Sequence, residues 1–250
     1  MTQYRWIRVL LLGGLLFEAP LQAAEQTLNL LEPAALQQMI QRGEKPVLID
    51  VMSRLECMDH GIPDSLCIAE EEFAANAPRL LPDRNRSLVF YGDSDLGDLG
   101  ERSRGSAAAA IKQGYGQVSV LSGGLPAWKQ AGYPTVSRER IPRVPVESIK
   151  PEYFERWISK RRDPLILDLR REERFKEGHL PGAINIPLYL LQERYPEIPL
   201  NRPVLVVDER GSRTFLAASY LVRKGVGDVK RLFGGMQMWQ AQVAMAKKKK

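Results

Sequence analysis

The sequence predicts an α/β protein of two tandem domains, each a parallel sheet covered by helices on both faces. Three observations lead there. Short apolar, β-branched runs alternate with helical stretches along most of the chain, the pattern of a parallel sheet whose crossovers are helices. The pattern also occurs twice. Pro46-Val47-Leu48-Ile49-Asp50-Val51 matches Pro164-Leu165-Ile166-Leu167-Asp168-Leu169 at an offset of 118, Leu88-Val89-Phe90-Tyr91 matches Val204-Leu205-Val206-Val207 at 116, and Gly123-Gly124 with Trp128 matches Gly234-Gly235 with Trp239 at 111. Finally, residues 204–214, VLVVDERGSRT, read as a strand buried on both faces, a tight loop and a helix start. A loop in that position aims several backbone N–H groups at one point, which makes an anion cradle.

The first unit is assigned to residues 27–135. A helix over 33–41 is stopped by Gly43, and a strand over 47–51 follows. A short strand runs through 63–68, then helical material, then the central strand 88–91. The helix over 103–113 carries Ala107 to Ala110, small enough to lie close on a sheet, and Gly114-Tyr115-Gly116 stops it. A strand over 118–121 and a helix with Trp128 close the unit at Gly132-Tyr133-Pro134. Residues 136–148, with Pro142, Pro145 and alternating charge, form a linker. The second unit, 149–243, repeats the plan: helix 151–160, strands 165–169, 183–186 and 204–207, helix 214–224, strand 228–232, helix 236–243.

Asp168-Leu169-Arg170, then EGHLPGAINIP at 177–187, then DERGSRT at 208–214 make a long and specific set of motifs. They resemble those of rhodanese domains (thiosulfate sulfurtransferases), D-x-R … G-H-[IL]-P-G-A-x-[NH]-[IL]-P and C-x-x-G-x-R-[ST]. The first unit keeps a worn version in Asp50-Val51-Met52 and His60-Gly61-Ile62-Pro63, and Leu121-Ser122-Gly123-Gly124 with Ala127-Trp128 is similar to the family's closing L-x-G-G … A-W. The resemblance spans nearly all of the chain after the first residues and implies two tandem rhodanese-like domains.

It also implies a chemistry that the loops lack. A rhodanese carries sulfur as a cysteine persulfide, with loop N–H groups lowering the pKa of the nucleophilic thiolate. At the cysteine position stands Asp208 in the second unit and Gly92 in the first. A carboxylate cannot form a persulfide, so no catalytic residue is expected. Asp208 is expected to fill the cradle of Glu209, Arg210, Gly211, Ser212, Arg213 and Thr214 with its own carboxylate; the sharper alternative has Asp208, Arg210 and Ser212 facing a partner or a cationic ligand. Asp168 with Arg213, and Asp50 with Arg102, are expected to form buried structural ion pairs beneath the loops. The first loop carries an acidic insert with Asp93, Asp95, Asp98 and Glu101, which fails the EF-hand spacing and reads as a solvated loop rather than a metal site. His60 and His179 read as turn-packing residues, and no metal or cofactor is expected.

The two cysteines, Cys57 and Cys67, flank the degraded turn of the first unit. An even cysteine count in an exported chain favours a disulfide, which would restrain that turn. Two free thiols, or a redox or sulfur-carrying pair, stay open as alternatives.

Export is read from the first residues. Arg5 and Arg8 precede an apolar core at 9–17, too short to span a bilayer, and Leu21-Gln22-Ala23 supplies a small residue before a cleavage point. Residues 1–23 are expected to be a signal peptide, with the mature protein in the bacterial periplasm and no stable membrane span after cleavage. The net charge of +6 falls to +5 without Arg5, Arg8 and Glu18, and four of the remaining positives are Lys247 to Lys250. The folded part is then near neutral, which argues against a nucleic-acid surface. Residues 244–250 are expected to be a solvated basic tail, with a weak contact to anionic lipid or an acidic partner as the alternative.

These readings point to an exported, monomeric, catalytically inactive module that binds a periplasmic protein partner in sulfur or redox metabolism. Two rivals are a sulfurtransferase or sulfane-sulfur carrier using Cys57 or Cys67, and a structural subunit of an envelope assembly.

Overall fold

A computed structural model describes residues 28–93 and 98–248. The expected signal peptide, residues 94–97 of the acidic insert and the last two lysines lie outside the described residues.

The first domain contains β1 (Asn29–Leu31), α1 (Pro33–Gln41), β2 (Val47–Asp50), α2 (Arg54–Asp59), β3 (Leu66–Cys67), α3 (Glu70–Leu80), β4 (Ser87–Tyr91), α4 (Asp98–Lys112), β5 (Gln117–Leu121) and α5 (Gly124–Gln130). The second contains β6 (Ser148–Ile149), α6 (Phe154–Ser159), β7 (Leu165–Asp168), α7 (Glu172–Glu177), β8 (Ala183–Asn185), α8 (Leu191–Arg194), β9 (Val204–Val207), α9 (Thr214–Arg223), β10 (Val229–Leu232) and α10 (Gly235–Lys248). Both sheets have five parallel strands in the same order, β1-β5-β4-β2-β3 and β6-β10-β9-β7-β8.

Strand alternation divides each core into two layers, because successive side chains point to opposite faces of a strand. In the first domain Ile49, Leu88, Phe90 and Val120 pack with Phe73, Ala77, Ala107 and Ala110 of α3 and α4. Leu48, Val89, Tyr91 and Leu121 pack on the other face with Leu36, Leu125 and Trp128 of α1 and α5. The second domain repeats this: Leu165, Leu167, Val204 and Val206 face α8 and α9, while Ile166, Leu205 and Val207 face Phe154, Trp157 and Met236 of α6 and α10.

Besides α4 starting at Asp98 rather than 103 and β3 covering only Leu66–Cys67 of the expected 63–68, two features depart from the sequence reading. Each sheet gains an edge strand, β1 and β6, too short to show a period; β6 begins at Ser148, inside the expected linker. The final helix runs to Lys248 rather than ending at 243, so residues 244–248 of the expected tail continue α10. Ala241, Ala244, Met245 and Ala246 favour continuation, and no glycine or proline intervenes.

The domains meet through α2. Its Leu55, 1% exposed, belongs to the core of the second domain, along with Ile141 of the linker. Ser53 and Glu56 form a capping box at the start of α2, which fixes the helix that presents Leu55.

Candidate functional site

The loop after β9 closes on itself. The Asp208 carboxylate accepts the backbone N–H of Gly211 and, at 2.8 Å, that of Arg213. The side chain is 5% exposed. Burial pushes its carboxyl above the ordinary carboxylate range, against the lowering effect of the N–H groups of Arg213, Gly211 and Arg210. Gly211 adopts φ +82°, which a side chain would strain, and Thr214 Oγ1 donates to Gly211 O at 2.8 Å.

The second support of the loop is α10. Met236 N donates to Asp208 O at 2.9 Å and Gln237 N to Glu209 O at 3.0 Å. This approach requires Gly235: a Cβ there would lie 2.5 Å from Asp208 O and 2.7 Å from Arg210 N. The first domain keeps the same contact, with Leu125 N donating to Gly92 O at 2.9 Å. Gly92 itself offers no side chain, so neither of the two equivalent loop heads carries a thiol.

Arg210 and Ser212 are exposed at the mouth of a cavity of about 180 Å³ between the domains. Its walls carry both signs of charge, with arginines in excess. From the first domain come Glu70 and Arg102; from the second come Arg170, Arg171 and Arg213. Arg171 pairs with Glu70 and, at 2.7 Å, with Glu71 across the domain boundary.

Both expected ion pairs are corrected. Asp168 does not take Arg213; it takes Arg170, two residues on, with Nη2 at 2.8 Å and Nε at 3.1 Å from both carboxylate oxygens. The backbone N–H of Arg170 also donates to Asp168 Oδ1 at 2.9 Å, and this tight turn folds the guanidinium back over the carboxylate. Arg213 points the other way, to Glu56 of α2 at 3.0 Å. Glu56 thus caps its own helix with one oxygen and holds the loop of the other domain with the other.

Asp50 likewise does not pair with Arg102. Arg102 faces Glu71 at 3.7 Å and Glu70 at 4.0 Å, and burial, with Arg213 nearby, lowers its pKa to about 10. The residue two on from Asp50 is Met52, so no guanidinium folds back. Asp50 Oδ1 accepts Met52 N at 3.0 Å, while Oδ2 is buried without a hydrogen-bond partner among the described residues. Burial raises this carboxyl to about 7.

Cys57 of α2 and Cys67 of β3 are joined in a disulfide, with Cα atoms 5.9 Å apart. Arg138 of the linker lies over it, its Nη1 3.4 Å from Cys57 Sγ and 3.2 Å from Cys67 Sγ. The histidines pack in their turns: His179 stacks on Phe175 with centroids 3.9 Å apart, and His60 Nδ1 lies 3.1 Å from Asp59 Oδ2. Sequence reasoning missed Glu56, Arg138 and Arg171. Only Glu56 carried a signal, the S-x-x-E spacing from Ser53.

The family model of the rhodanese-like domain matches the chain twice, over residues 32–131 and 150–242. Among curated proteins, a sulfurtransferase of Allochromatium vinosum is 32% identical over 94 residues, covering 38% of this chain and 88% of that protein. The thiosulfate sulfurtransferase GlpE of Coxiella burnetii is 32% identical over 90 residues, covering 36% of this chain and 84% of that protein. Among solved structures, a thiosulfate sulfurtransferase of Pseudomonas aeruginosa aligns with 86% of this chain and 43% of its own, at 18% identity and a TM-score of 0.42. Both domains carry the matched pattern on the same five-strand topology, and the chain belongs to the rhodanese-like domain family.

Proposed function

We propose that this is an exported rhodanese-like protein that does not transfer sulfur and acts as a periplasmic binding module, as a monomer, for a protein partner in sulfur or redox metabolism. One observation carries the reading: the Asp208 carboxylate occupies the cradle, accepting the N–H groups of Gly211 and Arg213 that would otherwise hold a thiolate or an incoming oxyanion. A carboxyl group already there excludes an incoming oxyanion by volume and by taking the N–H donors it would need. Export rests on the arginine-led apolar segment at the start of the chain, and the partner on analogy with sulfur-handling relatives. The exposed Arg210 and Ser212 beside the interdomain cavity are the surface offered to that partner.

The test is the intact mass of the mature protein before and after thiosulfate. The expected mass is two hydrogens below the reduced value and does not change with thiosulfate. The Asp208→Cys variant, with a thiol at the head of the cradle, is expected to take up one sulfur atom. Uptake of sulfur by the unaltered protein, lost in Cys57→Ser or Cys67→Ser, would overturn the reading.

A further inference from the structure

Arg138 spends its guanidinium on sulfur. Nη1 reaches both sulfurs of the Cys57–Cys67 bridge, Nη2 donates to Ser65 O, and no carboxylate lies within ion-pair distance among the described residues. The backbone fixes it there: Arg138 N and Glu139 N both donate to Met58 O, at 3.0 and 2.9 Å, and Gly61 and Val136 exchange two bonds at 2.9 Å. A neutral disulfide gains little from an adjacent cation. A thiolate gains a great deal, since a nearby cation stabilises the charged form and lowers the thiol pKa. The two sulfurs are also unequal, with Cys57 1% exposed and Cys67 partly exposed.

We propose that Cys57–Cys67 is an exchangeable disulfide, reduced by a dithiol, in which Arg138 holds the departing Cys57 thiolate. One thiolate of the dithiol attacks the accessible Cys67 Sγ. A sulfur–sulfur bond forms there, the Cys57–Cys67 bond breaks, and its electron pair passes to Cys57 Sγ beside Arg138. The second thiol of the dithiol then attacks the sulfur of its own mixed bond, and Cys67 leaves. The dithiol ends as a disulfide and the chain gains two electrons. One proton goes to Cys67; the other is released while Cys57 stays ionised. The bridge ties β3 to α2, the helix that supplies Leu55 and Glu56 to the second domain, so exchange would reach the domain boundary.

The experiment is a redox titration of the folded, full-length mature protein in dithiothreitol buffers, with alkylation and mass readout. The unaltered protein is expected to be reduced reversibly without denaturant. Arg138→Met is expected to shift the equilibrium about tenfold toward the disulfide, about 30 mV. Arg138→Lys, which keeps the cation, should stay close to the unaltered protein. In the reduced unaltered protein, one thiol should be alkylated with a pKa below the ordinary value of about 8.5. Reduction only under denaturing conditions, an unchanged equilibrium in Arg138→Met, or two thiols titrating at or above the ordinary value would each overturn the proposal.

Discussion

Asp50→Asn should stabilise this protein at neutral and alkaline pH and flatten its stability profile. Asp50 is fully buried at the end of β2. Its Oδ1 has the N–H of Met52, and its Oδ2 lies beside the Tyr91 hydroxyl. Tyr91 donates to Ser65 Oγ at 2.7 Å, and Ser65 donates to Ile62 O at 2.8 Å. A hydrogen-bond donor suits that position better than a bare carboxylate oxygen, and burial raises the carboxyl from 3.8 to about 7. The native state therefore holds a proton that the unfolded state releases between those values. The stabilising contribution of the protonated group is complete below pH 4 and is lost as pH rises through 7. At 1.36 kcal/mol per pKa unit the loss is roughly 4 kcal/mol by pH 8. Asparagine keeps the acceptor for Met52 N, supplies a donor, and carries no titration. The assay is urea unfolding at pH 5, 6, 7 and 8, followed by tryptophan fluorescence. The gap between variant and parent should widen by roughly 2.5 kcal/mol between pH 5 and pH 8, the rest of the loss falling below pH 5. Parallel profiles would refute the argument, because they would mean that Asp50 binds no extra proton in the native state.

Three further outcomes follow from the packing. Leu55→Ala removes the apolar anchor of α2 from the second domain and should cost about 2–5 kcal/mol in denaturant unfolding; a loss well under 1 kcal/mol would show that the anchor is not buried there. Gly235→Ala would drive a methyl against Asp208 O and Arg210 N at a residue with φ +60°, so unfolding measurements should show a destabilisation of about 1–3 kcal/mol, with the loop amides of Gly211 and Arg213 exchanging faster. Glu56→Gln and Arg213→Gln should each destabilise, and a double-mutant cycle should return a coupling of about 0.5–3 kcal/mol; zero coupling would remove the ion pair from the account of the domain boundary.

The paired sheets were legible in the sequence because strands buried on both faces must be continuous apolar runs, as at 47–49, 88–91, 165–167 and 204–207, and because the repeat displayed the same order twice. The self-filled loop was legible for a similar reason: Asp208, Gly211 and Arg213 are neighbours in the chain, and a carboxylate at the head of a turn reaches the amides that follow it. The edge strands β1 and β6 were not, since two or three residues carry no period and their pairing depends on the neighbouring strand. The ion pairs went wrong at the point where distance along the chain stopped being a guide. Asp168 and Asp50 sit at equivalent places on equivalent strands, yet Arg170 folds back on one and Met52 leaves the other buried with an open oxygen. Arg213 and Arg102 turn away from their own strands to carboxylates of α2 and α3, groups over one hundred positions away for Arg213. Sequence by itself determined the two cores and the chemistry at the head of each loop, because hydrophobic burial and local backbone bonds follow chain order. Tertiary structure decided which charge meets which and placed Arg138 on the disulfide, because guanidinium groups on long side chains choose partners by what the other domain and the linker bring within reach.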